Sequence, residues 1–138
     1  MATFAPLPTY LVSAICLTLG LNGLFRPEAE YSRFGLSIKP APVPSTTSKT
    51  TPNSQAPTIF PFVYVKSIRE ITYGLALIGL QYQNQEAAIT TLAAVMSLAG
   101  LGDGLVVWLF GGENKWTAMN HWTAFVGLLG WAVLRCTL

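Results

Sequence analysis

Residues 87–110 read AAITTLAAVMSLAGLGDGLVVWLF, and Asp103 is the one charged residue among them. A transmembrane helix needs about 20 consecutive, mostly apolar residues, and this stretch meets that requirement. It lacks the alternation of apolar and polar residues that marks a half-buried strand. Its many glycine and alanine residues are typical of packed membrane helices. The stretch is therefore predicted to cross a membrane as a helix.

The whole 138-residue chain has the same character, with 51% hydrophobic and only 10% charged residues. Soluble domains carry about 25% charged residues, so this chain has too few to cover a small globule in water. The composition disfavours a soluble domain, a disordered chain and a nucleic-acid-binding protein. The net charge of +2 is too small to indicate a polyanionic partner. We expect one integral membrane domain over residues 1–138, in contact with membrane lipid.

Three further stretches are long and apolar enough to be membrane helices. The four predicted spans cover about 7–25, 60–82, 87–110 and 117–134. Tight connections between the later spans make neighbouring helices antiparallel. The predicted fold class is thus all-α, a four-transmembrane-helix antiparallel bundle with a long Pro/Ser/Thr-rich loop, residues 26–59, between helices one and two.

The long loop has two parts with different patterns. Its first part begins with Arg26-Pro27-Glu28 and reaches Gly35, which predicts a short helix at the membrane interface. The proline-rich remainder is expected to be extended. This loop and the loop at 111–116 carry most basic residues outside the spans, so the positive-inside rule places the long loop in the cytosol. The multi-pass protein is assigned to the endoplasmic reticulum by default.

The predicted spans contain five ionisable residues, which are Lys66, Arg69, Glu70, Asp103 and His121. An ionisable side chain at the bilayer centre costs about 2.5–3.5 kcal/mol, so these groups are expected to pair, to have a function, or both. At a rise of about 1.5 Å per residue, they converge on one layer in the cytosolic half of the bundle. Asn22 and Asn120 fall near the same layer.

The helical period indicates which of these groups meet. Adjacent helix residues do not face each other, so Arg69 and Glu70 are predicted to be poor partners, and Arg69 is predicted to reach Asp103 on helix three. Glu70 is then expected to meet His121, Tyr73 or a ligand, and the four charges at 66, 69, 70 and 103 balance formally. Two structural alternatives stay open. In the first, the Arg69–Asp103 pair has no chemical role and only fixes the register of the two helices. In the second, the Lys66 side chain extends to the membrane interface.

The helix faces around Asp103 and His121 are apolar and include Met96 and Phe125. An apolar pocket with a polar cluster at one end is the usual form of a small-molecule site. The Gly100-x-x-x-Gly104 spacing predicts close helix contact beside it. One histidine and two distant cysteines do not favour a metal site, and we expect no cofactor.

Two carboxyl groups in a dry pocket provide an acid and a base when one stays ionised beside Arg69 and the other stays protonated. Such a pair suits the opening of an epoxide, because the base takes a proton from water or a substrate hydroxyl and the acid protonates the departing oxygen. Asp103 is the predicted base, Glu70 or His121 the acid, and Tyr73 a group that orients the epoxide oxygen. The same groups also suit a cofactor-free isomerisation or a terpenoid-type cyclisation.

Four motifs follow one another along the chain: Arg26-Pro27-Glu28 through Phe34-Gly35-Leu36, Tyr64-Val65-Lys66-Ser67-Ile68-Arg69-Glu70 running into Gly74, Gly102-Asp103-Gly104, and His121. Their order resembles a family of small four-helix membrane proteins, common in fungi and known as a domain of unknown function. Some members are encoded beside polyketide synthases and flavin monooxygenases in pathways of the aurovertin and citreoviridin type. Those members resemble hydrolases that open polyene-derived epoxides. The resemblance implies a role in fungal secondary metabolism.

The sequence thus predicts a membrane-embedded epoxide hydrolase or cyclase that acts on a lipophilic polyketide-type epoxide. The predicted substrate-binding residues are Asn22, Lys66, Met96, Asn120 and Phe125. The alternative is a non-catalytic membrane protein, a binder or carrier of lipid or another small molecule, in which the charged cluster is structural. Small-residue helix faces also suit a homodimer.

Overall fold

The computed structural model describes residues 5–33 and 61–137. The regular structure in these ranges is helical throughout, which confirms the all-α prediction. Its elements are α1 (Leu7–Phe25), α2 (Pro27–Arg33), α3 (Phe62–Tyr82), α4 (Glu86–Phe110), a 3₁₀ helix (Gly112–Thr117) and α5 (Ala118–Thr137). The proline-rich part of the predicted loop lies outside the described residues.

The helix boundaries follow the predicted spans closely, with one extension at the C-terminal end. Helix α1 has the predicted bounds, and α2 begins at Pro27 as expected. Helix α5 continues to Thr137, beyond the predicted end near residue 134. The added turn contains Arg135, which donates to Glu86 and to Thr90 Oγ1 (3.0 Å) on α4. This tertiary contact holds the last turn of α5 against α4.

Two helices, α1 and α4, are long and apolar enough to cross a membrane, judged by length and composition among the described residues. The outer surface of the molecule is also apolar. Phe25, Leu109 and Phe110 are 70% exposed or more. Extended exposed apolar surface of this kind marks a site of contact with lipid or with another protein.

The long helices form two antiparallel pairs, α1 with α3 and α4 with α5, and the pairs meet mainly where α3 contacts α4. Glycines let the helices approach closely. A methyl group added at Gly20 would lie 2.7 Å from the Ser67 carbonyl oxygen, and one at Gly100 would lie 3.3 Å from the His121 carbonyl oxygen. Gly104 packs directly under the Trp122 indole. The close contact predicted from Gly100-x-x-x-Gly104 is confirmed.

A small apolar core joins the two pairs. Its buried members are Cys16, Leu77, Ile89 and Met96, one or two from each of α1, α3 and α4. This core lies beside the α3–α4 contact. Since α1 and α5 share almost no contacts within the described ranges, the space between the two helix pairs remains partly open.

Candidate functional site

A cavity of about 540 Å³ lies between the two helix pairs and is lined by residues of all five α-helices. Small-molecule sites commonly have volumes of about 300–1,000 Å³. One end of the cavity is polar and is formed by Glu30, Lys66, Arg69, Glu70, Asp103, Asn120 and His121. The rest is apolar and includes Val12, Ile15, Leu128 and Trp131. The cavity therefore has the predicted form, an apolar pocket with a polar end.

Arg69 and Asp103 form a two-point ion pair between α3 and α4. Arg69 Nη1 donates to Asp103 Oδ1 at 3.2 Å, and Arg69 Nη2 donates to Asp103 Oδ2 at 2.6 Å. Paired N–H···O bonds from one guanidinium fix a carboxylate in both position and orientation. Both side chains are partly buried at the cavity wall. The predicted pairing of Arg69 with Asp103 is confirmed.

Glu70 is held more loosely. Arg69 Nη2 also donates to Glu70 Oε1, at 3.4 Å, which is long for such a bond. This long contact agrees with the prediction that the two neighbours are poor partners. The buried Cys16 on α1 and Glu70 on α3 both line the cavity. Arg69 thus connects a firmly held carboxylate with a loosely held one.

Lys66 lies inside the protein and does not extend to an interface. Its Nζ donates to Glu30 Oε1 on α2 at 3.0 Å, and the two side chains are only 8% and 3% exposed. Asn22 Nδ2 donates to the other Glu30 oxygen at 3.3 Å. The alternative in which Lys66 extends to the interface is therefore wrong, since α2 folds back and brings a carboxylate to the lysine.

Glu30 is a buried residue of the cavity lining that the sequence did not point to. It lines the cavity and is 2% exposed. The one signal for it was indirect: a lysine in an apolar helix needs a partner, and α2 offers two nearby acids. Glu30 thus adds a carboxylate to the cavity lining beyond the four charges whose balance was predicted.

Most of the other predicted site residues also line the cavity, namely Tyr73, Met96, Asn120 and His121. Asn22 and Phe125 lie outside its lining. Asn22 donates a hydrogen bond to Glu30, which does line the cavity. The Phe125 backbone packs against Gly100 at the α4–α5 contact. No group of three or more His, Cys, Asp and Glu side chains in residues 5–33 and 61–137 is placed to hold a metal ion. The absence of a cofactor remains a prediction.

A third ion pair between helices joins the opposite ends of α4 and α5, and neither of its residues lines the cavity. Arg135 donates to Glu86, and its guanidinium carbon lies 5.4 Å from the centroid of the Trp131 ring. Arg135 is buried and Glu86 is partly exposed. This pair joins the helices in the same way as Arg69–Asp103 does but takes no part in the cavity.

The sequence matches a known family over residues 13–135, and that family is described as a Domain of unknown function (DUF4267). No curated protein and no solved structure matches the chain. Since the match covers most of the chain, including Lys66, Arg69, Asp103 and His121, the protein belongs to this family.

Proposed function

We propose that this member of the DUF4267 family is a membrane-embedded epoxide hydrolase or cyclase acting on a lipophilic polyketide-type precursor in fungal secondary metabolism. One observation carries the proposal: a largely apolar cavity contains one carboxylate fixed by an arginine and, beside it, a second carboxyl group that the same arginine holds only weakly. Acid–base opening of an epoxide needs two such groups and no cofactor. The resemblance of the sequence motifs to epoxide-opening proteins selects this reaction among acid–base reactions.

The proposed membrane topology has four spans, α1, α3, α4 and α5, with the long loop in the cytosol and the endoplasmic reticulum as the membrane. Helix α3 fits this topology because its charged residues line the cavity while Val65, Ile68 and Leu75 face outward. Helix α5 likewise presents Val126 and Val133 to the outside. Apolar outer faces and inward charges are expected of helices in lipid.

In this proposal Asp103 is the general base. The paired bonds from the Arg69 guanidinium fix the direction of the Asp103 carboxylate. Each carboxylate oxygen has two lone pairs, so an oxygen that accepts one bond from Arg69 retains a site for a proton. Asp103 lines the cavity and therefore faces an incoming water or substrate hydroxyl.

Glu70 is the proposed acid, and the contacts of the three carboxyl groups that line the cavity support this role. Glu30 accepts from both Lys66 and Asn22, and Asp103 accepts two bonds from Arg69. Glu70 has the weakest ionic contact of the three carboxyl groups, so the proposal assigns to it the transfer of a proton to the departing oxygen.

The reaction then proceeds in one displacement. Asp103 takes a proton from water or from a substrate hydroxyl, that oxygen bonds to an epoxide carbon, and the carbon–oxygen bond of the epoxide breaks. Glu70 gives its proton to the departing oxygen, with Tyr73 orienting it. Water as nucleophile yields a diol, and an internal hydroxyl yields a cyclic ether with a new hydroxyl. Asp103 ends protonated and Glu70 ionised, so one proton passes from Asp103 to Glu70 before the next turnover. His121 lines the same cavity and is the other candidate acid.

The test follows oxygen from the solvent. Membranes carrying the wild type, Asp103→Asn or Glu86→Gln are given a panel of lipophilic polyene epoxides in ¹⁸O-labelled water, and the products are read by mass spectrometry. Hydrolysis gives a labelled diol, whereas cyclisation gives an unlabelled isomer of the substrate. We expect one of these from the wild type and from Glu86→Gln, and neither from folded Asp103→Asn. No conversion of any epoxide by the wild type contradicts the proposal.

The rival function is that of a non-catalytic binder, and one observation favours it. Arg69 and Lys66 each join their helix to another element through a carboxylate, which is what a purely structural cluster would do. This alternative predicts that Asp103→Asn lowers stability as Glu86→Gln does, and that no substrate is chemically changed.

A further inference from the structure

We infer that the cavity is reached sideways from the lipid, through the seam between α1 and α5, and that Gly127 determines the width of this opening. The inference rests on the proposed function for the identity of the substrate. It concerns the route by which a lipid-dissolved molecule reaches the polar end.

The position of the opening follows from the exposure of the residues that line the cavity. Those on α3 and α4 are buried or only partly exposed, and so are the deeper ones on α1 and α5. The lining residues that are also exposed lie on α1 and α5 alone, and they are Pro8, Ile15, Asn120, Ala124 and Gly127. The cavity wall is thus closed on the α3–α4 side and open along the α1–α5 seam.

The packing of the helices explains why this side is open. Helix α1 packs on α3, and α5 packs on α4 and the 3₁₀ helix, whereas α1 and α5 share almost no contacts in the described part of the chain. From Asn120 to Trp131 the seam runs for about 16 Å along α5 at the usual rise per residue. Because the α1 and α5 backbones are separated over this length, the seam leaves room for a chain-like molecule.

The polarity of the residues at the opening indicates whether the substrate enters from the lipid or from the water. Four of the five residues at the opening are apolar or glycine, and Asn120 lies at the polar end. A water-dissolved molecule would have to cross the apolar part of the opening. A lipid-dissolved molecule crosses it without losing its apolar surroundings.

A substitution at Gly127 can narrow the opening without displacing neighbouring residues. A Cβ built at Gly127 meets nothing within 4 Å, and neither does one built at Gly130 three residues further along the same helix. Both glycines are exposed, but only Gly127 lines the cavity. Gly127→Leu therefore places a side chain in the opening, and Gly130→Leu is the matched control outside it.

The buried thiol of Cys16 lines the cavity and serves as a built-in probe once the exposed Cys136 is replaced by serine. Cys136→Ser protein in lipid nanodiscs is treated with a lipid-soluble maleimide or with a charged, water-soluble one, and labelling of Cys16 is followed by mass spectrometry. We expect the lipid-soluble reagent to react faster. Gly127→Leu should slow it by about tenfold, equivalent to about 1.4 kcal/mol of barrier, while Gly130→Leu should leave the rate unchanged.

Three results overturn the inference: equal labelling rates for Gly127→Leu and Gly130→Leu, equal rates for the two reagents, or no labelling of the folded protein when SDS-unfolded protein is labelled fully. The labelling needs no turnover. The expected labelling pattern without conversion of any epoxide would therefore support the lateral opening and remove the proposed reaction.

Discussion

The ion pair between Lys66 and Glu30 allows a quantitative test of the buried cluster. Lys66→Met keeps the length of the side chain, removes its charge, and leaves the bond from Asn22 to Glu30 (3.3 Å) in place. Removing one partner of a buried ion pair costs about 3–5 kcal/mol. Because the Asn22 bond remains, we expect the lower end of that range, about 3 kcal/mol, which lowers the Tm of a chain of this size by roughly 10 °C.

The assay is unfolding by SDS titration in mixed micelles, followed by circular dichroism. Glu30→Gln combined with Lys66→Met buries no charge at this position, so the double variant should be more stable than the sum of the two single losses predicts. Lys115→Met is the control, since Lys115 is exposed and lies 5.5 Å from the Trp108 ring centroid; its loss should cost about 1 kcal/mol or less. A cost below about 1 kcal/mol for Lys66→Met, the range of exposed pairs, would refute the reasoning.

Two neighbouring glycines of α4 should respond to alanine with opposite signs. Gly104→Ala is expected to destabilise the protein by about 1–3 kcal/mol, because the added Cβ would clash with the Trp122 indole. The Cβ added by Gly102→Ala meets nothing within 4 Å, so this variant should stabilise the helix by about 0.5–1 kcal/mol. Changes of the same sign in the free energy of unfolding, measured by the same SDS titration, would contradict the α4–α5 packing. Arg69→Lys keeps the charge but loses the paired bonds to Asp103, so kcat should fall by about tenfold or more for a loss of about 1.4 kcal/mol. A wild-type kcat in that variant would show that the direction of Asp103 does not matter.

The Arg69–Asp103 contact was predictable because two charges at one depth in apolar helices have few other partners. The helical period gives the face of each side chain, and depth follows from residue counts. The Gly100 and Gly104 contact was predictable for a similar reason, since spacing by four places both glycines on one face. Such features depend on a single helix and its immediate neighbour.

The features that the sequence did not reveal depend on how separate segments pack. Glu30 reaches Lys66 across 36 residues, and no local pattern encodes where α2 folds. The last turn of α5 depends on the pairing of Arg135 with Glu86, which lies 49 residues earlier. The open α1–α5 seam follows from the separation of two helix pairs, whereas the periodicity of each helix indicates only which face is apolar.

The comparison of Asp103→Asn with Glu86→Gln tests the central claim most directly. Each variant removes one carboxylate from an inter-helix ion pair with arginine, but only Asp103 lines the cavity. The measurement is kcat for a lipophilic epoxide that the wild type converts, with each variant purified in micelles and normalised to its folded fraction. Acid–base catalysis contributes about 10²–10⁴-fold, so Asp103→Asn should lose at least about a hundredfold while Glu86→Gln stays near the wild type. Equal normalised rates for the two variants would contradict the account and identify the cluster as structural.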